Sequence, residues 1–158
     1  GDAAMEYRFT MGLVKILLLF CIGLILCVKV AVAEHQVVLV AAATSPLHDI
    51  DSVELRKIFL VFTVERDGQT IKGLRNISDE DLNNIFLQTV VAMSEKSYKR
   101  RQLSLTLKKG TPQIAEYDKV EDLIKALLRN PYSISYTRED VAEREPGIKI
   151  LRVLWEQS

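Results

Sequence analysis

Eight residues, Gln36 to Ala43, read QVVLVAAA, and this run narrows the fold more than any other segment. It is too short for a comfortable helix and opens with β-branched residues, so it is expected to be a strand. With no polar residue alternating in it, both faces must be buried, which is typical of a strand inside a parallel sheet. A sheet covered on both faces needs helices above and below it. The expectation is therefore an α/β domain with three αβα layers.

The segments that follow fit that plan. Thr44-Ser45-Pro46 stops the strand. Asp51 can cap a helix with Glu54 as its capping-box partner, and Val53, Ile58 and Phe59 fall roughly on one face of it. Asp67-Gly68 is a turn signal between two short β-like pieces, Phe62–Glu65 and Thr70–Leu74. Ser78 is placed to cap the next helix, with Asp79, Glu80 and Asp81 in its first turn, where the helix dipole favours negative charge. Leu82, Ile85, Phe86 and Met93 lie close to one stripe. Ser94 opens a third helix that runs to about Leu107. A fourth starts at Asp118 with Glu121 completing the box. It carries Val120, Leu123, Ile124, Leu127 and Leu128 on one face and ends at Asn130-Pro131. Tyr132–Thr137 reads as a strand, Arg138–Gly147 as a charged loop and Ile148–Leu154 as the last strand.

The amino-terminal 33 residues are different in kind. The apolar run Ile16–Val28 is interrupted by Lys29 and follows Arg8 and Lys15. A bilayer-spanning helix needs about 20 apolar residues, whereas a signal-peptide core needs only about 7–15. Ala31-Val32-Ala33 supplies the small side chains that a signal peptidase requires, placing cleavage after Ala33 and the mature domain at residues 34–158. An uncleaved anchor lengthened by Val30–Ala33 is the alternative. Leu26 before Cys27 disfavours a lipoprotein, because a lipobox wants a small residue there. Met5 and Met11 are both candidate starts. Cys21 and Cys27 are the two cysteines of the chain, so the mature part has no disulfide, thiolate nucleophile or cysteine metal site. Removing Arg8, Lys15, Lys29, Asp2 and Glu6 from 21 basic and 21 acidic residues leaves 18 and 19. That balance gives no electrostatic footprint for nucleic acid or acidic lipid.

Several anchors occur in a definite order: Ser45-Pro46, the helix Val53-Glu54-Leu55-Arg56-Lys57-Ile58-Phe59-Leu60, Asp67-Gly68, Phe86, Gly110-Thr111-Pro112, and Asn130-Pro131-Tyr132-Ser133-Ile134-Ser135-Tyr136. In this order they resemble the substrate-binding proteins of phosphate ABC transporters, especially the short single-lobe relatives. The resemblance covers nearly all of residues 34–158. It implies one lobe of a type II periplasmic binding protein-like fold, a periplasmic location, and phosphate or a related oxyanion held by backbone N–H groups and hydroxyls at helix starts. Three positions depart from the family pattern. The glycine after "IFL" is Val61, the glycine before the last tyrosine is Ser135, and the Gly-Ser-Gly-Thr-type loop is replaced by residues 75–81. Only Ser78 remains there as a hydroxyl, among three carboxylates that repel an anion.

The candidate ligand-binding residues are thus Thr44 and Ser45, after the first strand, and Arg75 and Ser78, before the second helix. Thr44 and Ser45 also serve as ordinary turn residues, and Arg75 as a partner for Asp79 or Glu80. His48 is a lone loop histidine. Lys99-Arg100-Arg101 points in three directions around a helix, which suits a solvated face. No Ser-His-Asp spacing, phosphate loop or histidine pair is present, so no enzyme activity, metal or cofactor is expected. Two functions are compatible with this set. One is a periplasmic solute-binding-like protein with a degenerate oxyanion site and a membrane transporter as partner. The other is a ligand-free protein-interaction module of the bacterial envelope. Mass spectrometry of the secreted protein is expected to find Glu34 at its amino terminus; a chain retaining residues 16–33 establishes the anchor instead.

Overall fold

The computed structural model describes residues 2–27 and 36–158, in two compact units, Gly1–Glu34 and His35–Ser158. The first is helix α1, Asp2–Cys27. Its apolar stretch from Ile16 to Cys27 spans only about 18 Å at 1.5 Å per residue, and no helix among the described residues is long and apolar enough to cross a membrane. The proposed cleavage site, Ala31-Val32-Ala33, lies outside the described residues.

The second unit runs β1 (Val37–Ala42), α2 (Ser52–Phe59), β2 (Glu65–Arg66), β3 (Gln69–Thr70), β4 (Lys72–Gly73), β5 (Arg75–Asn76) and α3 (Glu80–Phe86). A π-helical turn, Leu87–Val91, precedes α4 (Glu95–Lys109). Then come β6 (Glu116–Tyr117), α5 (Val120–Arg129), β7 (Ser133–Arg138), α6 (Glu139–Arg144) and β8 (Ile148–Trp155). The main sheet has the order β4-β7-β1-β8. Every residue of β1 is buried. Val37, Leu39 and Ala41 join α2, α3 and Tyr98 of α4 on one face, while Val38 and Val40 join α5 and α6 on the other. The domain is therefore α/β, with helices on both faces of a mixed sheet.

The expected parallel setting of β1 needs correction. β1 pairs antiparallel with both β7 and β8, and only β4 with β7 is parallel in this sheet. An apolar run reports that both faces are covered, and helical layers cover an antiparallel strand as well as a parallel one.

Local signals place most elements. Asp51 caps α2 by accepting from the Glu54 N–H at 2.8 Å. The Glu54 carboxylate does not return to complete the box; both of its oxygens accept from Arg66 Nη2, at 2.7 and 2.8 Å, and a charge-assisted bond is stronger than a neutral N–H offers. Asp67 and Gly68, both at positive φ, turn the β2–β3 hairpin, as a two-residue I′ turn requires. Ser94 caps α4. Two caps move by one residue. Asp79 rather than Ser78 caps α3, and α5 starts after Lys119 without a side-chain cap. The expected charged loop 138–147 contains α6, and Val53 of α2 is exposed.

Around Phe59 the packing is tight. Its ring meets Phe86 at 5.0 Å and Tyr136 at 5.9 Å, both edge-on, and a Cβ at position 73 would lie 2.7 Å from it. Only glycine lets β4 pass there.

The end of α2 is a Schellman closure, with Phe62 N–H donating to Lys57 O and Val61 N–H to Ile58 O. That motif puts its closing residue in the left-handed region, usually as glycine; here Val61 holds φ 66°. A β-branched residue is strained in this conformation by about 1–2 kcal/mol. Val61→Gly is expected to stabilise the domain by about 1 kcal/mol and raise Tm by a few degrees; an unchanged or lower Tm in calorimetry contradicts this account.

Candidate functional site

Arg75 is the largest fully buried side chain of the domain. β5, paired in parallel with β6, carries it inward between α3, α4 and β6. Its Nη1 donates to Glu95 Oε1 at 3.1 Å and Glu116 Oε1 at 3.0 Å. Its Nη2 donates to Glu95 Oε2 at 2.9 Å and to Asn83 Oδ1. The guanidinium carbon lies 5.2 Å from the Phe86 ring centre and 5.1 Å from that of Tyr98, within cation–π range. The sequence suggested Asp79 or Glu80 as its neighbours. Its actual partners lie 20 and 41 residues away, while Asp79 pairs with Arg138 at 2.6 Å.

These contacts set the protonation states. Hydrogen bonds from Arg75 hold the Glu95 carboxyl down at about 2, against the opposing effect of burial. Burial works to lower Arg75, but hydrogen bonding to Glu95 and the nearby negative charge keep it above its ordinary value. Burial pushes the Tyr98 and Tyr136 hydroxyls up, in spite of Arg75. At Asp79 burial acts to raise the carboxyl, and hydrogen bonds from Arg138 and the Leu82 N–H outweigh it. Arg75 Nε and the Tyr136 hydroxyl are buried without hydrogen-bond partners.

The other candidates are also tied into the fold. The Ser45 hydroxyl donates to Pro131 O and accepts from the Leu47 N–H at 3.1 Å. The Ser45 carbonyl accepts from Lys149 Nζ at 2.6 Å. Thr44 and His48 are exposed. Ser78 donates to Asn76 Oδ1 at 2.6 Å, and Asn76 Nδ2 donates to Tyr136 O at 3.0 Å. Ser135 donates to Leu74 O at 2.6 Å and so ties β7 to the segment leading into β5.

The two halves of the candidate set do not meet. Ser45 bonds Pro131, just before β7 begins, whereas Asp79, next to Ser78, bonds Arg138, where β7 ends. The six residues of β7 at about 3.3 Å each separate these points by roughly 20 Å. The structure thus brings Arg75 and Ser78 to one region and Thr44 and Ser45 to the opposite end of the sheet. Lys149, which sequence reasoning did not single out, stands with the second group. No local pattern identifies it, because the start of β8 reaches Ser45 only through the antiparallel pairing with β1.

One open cavity of about 510 Å³ adjoins the Arg75 cluster. Lys99, Gln102 and Leu103 of α4 line it with Gln113, Ile114 and Glu116. Among the described residues no group of three or more His, Cys, Asp or Glu side chains could hold a metal. No family model matches the chain, and no curated protein matches it.

Because Glu95 is depressed in the folded state, its contribution to stability is complete above about 4.5, its ordinary value, and is lost as pH falls towards about 2. Urea midpoints measured across this window are expected to fall with pH. Glu95→Gln should lower stability at pH 7 and flatten the slope; a variant as acid-sensitive as the parent shows that Glu95 is not the titrating group.

Proposed function

We propose that residues 36–158 act as a protein-interaction module of the bacterial envelope, exported by the amino-terminal segment. The scaffold is one lobe of a type II periplasmic binding protein-like fold whose ancestral anion site is degenerate. The observation that carries this reading is the separation of Thr44 and Ser45 from Ser78 by the length of β7. A phosphate ion, with hydrogen bonds of about 2.7–3.2 Å on each side, cannot touch both. The charge that a phosphate site needs is committed as well, since Arg75 is fully buried against two carboxylates and an amide. The resemblance itself gains support from Val61, which stands where the family has glycine and holds the conformation that glycine favours.

A second reading rests on Lys149. Its ammonium, 2.6 Å from Ser45 O and beside the exposed Thr44 turn, puts positive charge next to two hydroxyl-bearing residues. That arrangement suits weak oxyanion binding at one end of the sheet.

A thermal shift of the full chain in neutral detergent against phosphate and sulfate separates the two. The expected result is no change at millimolar anion. A ligand at a hundred times its Kd adds about 2.7 kcal/mol and moves the midpoint by several degrees. Such a shift, abolished in Lys149→Ala, overturns the interaction-module reading in favour of an oxyanion-binding protein.

A further inference from the structure

Helix α4 presents an outward face that the fold leaves uncovered. Its inward side holds Tyr98 and Gln102. Lys96, Arg100, Leu103 and Leu107 follow at helical spacing on the other side, with Lys99 one turn before Leu103. Leu103 is 49% exposed and Leu107 77% exposed. The helix carries six basic residues and one acidic residue, Glu95, and that carboxylate is already engaged by Arg75 and Lys99. The 510 Å³ cavity opens beside this face, walled by Lys99 and Leu103 on α4 and by Gln113 and Ile114 across from them. Gln102 fixes the far wall by accepting from the Ile114 N–H at 2.9 Å.

Resting on the interaction-module reading, we propose that this face and its groove dock an acidic amphipathic segment of a partner protein. Lys96 and Arg100, flanked by Lys99 on its pair with Glu95, meet its carboxylates, while its apolar side chains cover Leu103 and Leu107 and enter the groove. From Lys96 to Leu107 the face is about 17 Å long at 1.5 Å per residue, which matches about three turns of a partner helix. Charge selects against a second copy of this chain laid α4 on α4, because the same cations would meet. A flat bilayer surface reaches the lysines and leucines but cannot fill the recess between Lys99, Leu103, Gln113 and Ile114.

The test uses the full chain in the cell that makes it, with a photoactivatable phenylalanine analogue replacing Leu103 or Leu107 and, as controls, Val53 on α2 or Leu128 on α5. The expected result is a protein crosslink from positions 103 and 107 that maps to a segment rich in Asp or Glu with interspersed apolar residues. Its yield should fall about tenfold in K99E/R100E, since opposing a docked carboxylate with another reverses the attraction. Protein crosslinks from position 53 or 128 alone overturn the α4 surface and leave the interaction module standing. Adducts at 107 that prove to be lipid, a second copy of this chain or a segment without acidic residues overturn the proposed occupant. No protein crosslink from any of the four positions overturns both.

Discussion

A guanidinium with no access to water has to be satisfied by what surrounds it, and in this domain that requirement falls on Arg75. Taking the charge out of water costs several kcal/mol even after relaxation. The interior offsets this with two carboxylates, an amide oxygen and two aromatic faces, supplied by α3, α4 and β6. None of those elements can move independently without exposing an unpaired charge. Arg75 therefore fixes how α4 lies against β5, and with it the position of the groove between α4 and the segment before β6.

The aromatic cluster beneath Arg75 extends the same constraint into the sheet. Phe86 stacks on Tyr136 at 4.7 Å, Phe59 packs edge-on to both, and Gly73 makes room for Phe59. Tyr98 closes the cluster by donating to Phe59 O at 2.6 Å. β7 is the common element. It carries Tyr136 into the cluster, holds Leu74 through Ser135, and ends at Arg138 against Asp79. Its length keeps the two hydroxyl-bearing loops apart, so the separation that argues against a phosphate site follows from the strand that organises the core.

Backbone economy is less strict at the ends of helices. Val61 and Ala92 both adopt left-handed conformations, after α2 and after the π-helical turn. Each closes a helical turn, Val61 in the Schellman closure of α2 and Ala92 by donating to Leu87 O, and Val61 bears the strain of a β-branched residue there.

The sequence by itself determined the α/β class, the burial of β1, the Asp67-Gly68 hairpin and the starts of α2 and α4. Each depends on periodicity or on bonds between residues two to four apart, which are legible in one segment read alone. It did not determine the direction of the strands beside β1, because an apolar run records coverage and not orientation. Nor did it reveal the fate of the site residues. Arg75 read as an anion ligand or as a partner for Asp79 or Glu80, yet the fold assigned it Glu95 and Glu116. Ser45 and Ser78 read as two halves of one anion site, yet the antiparallel pairing of β1 with β7 set them at opposite ends of the sheet. Those outcomes belong to the tertiary structure, since each depends on which distant segments the chain brings into contact.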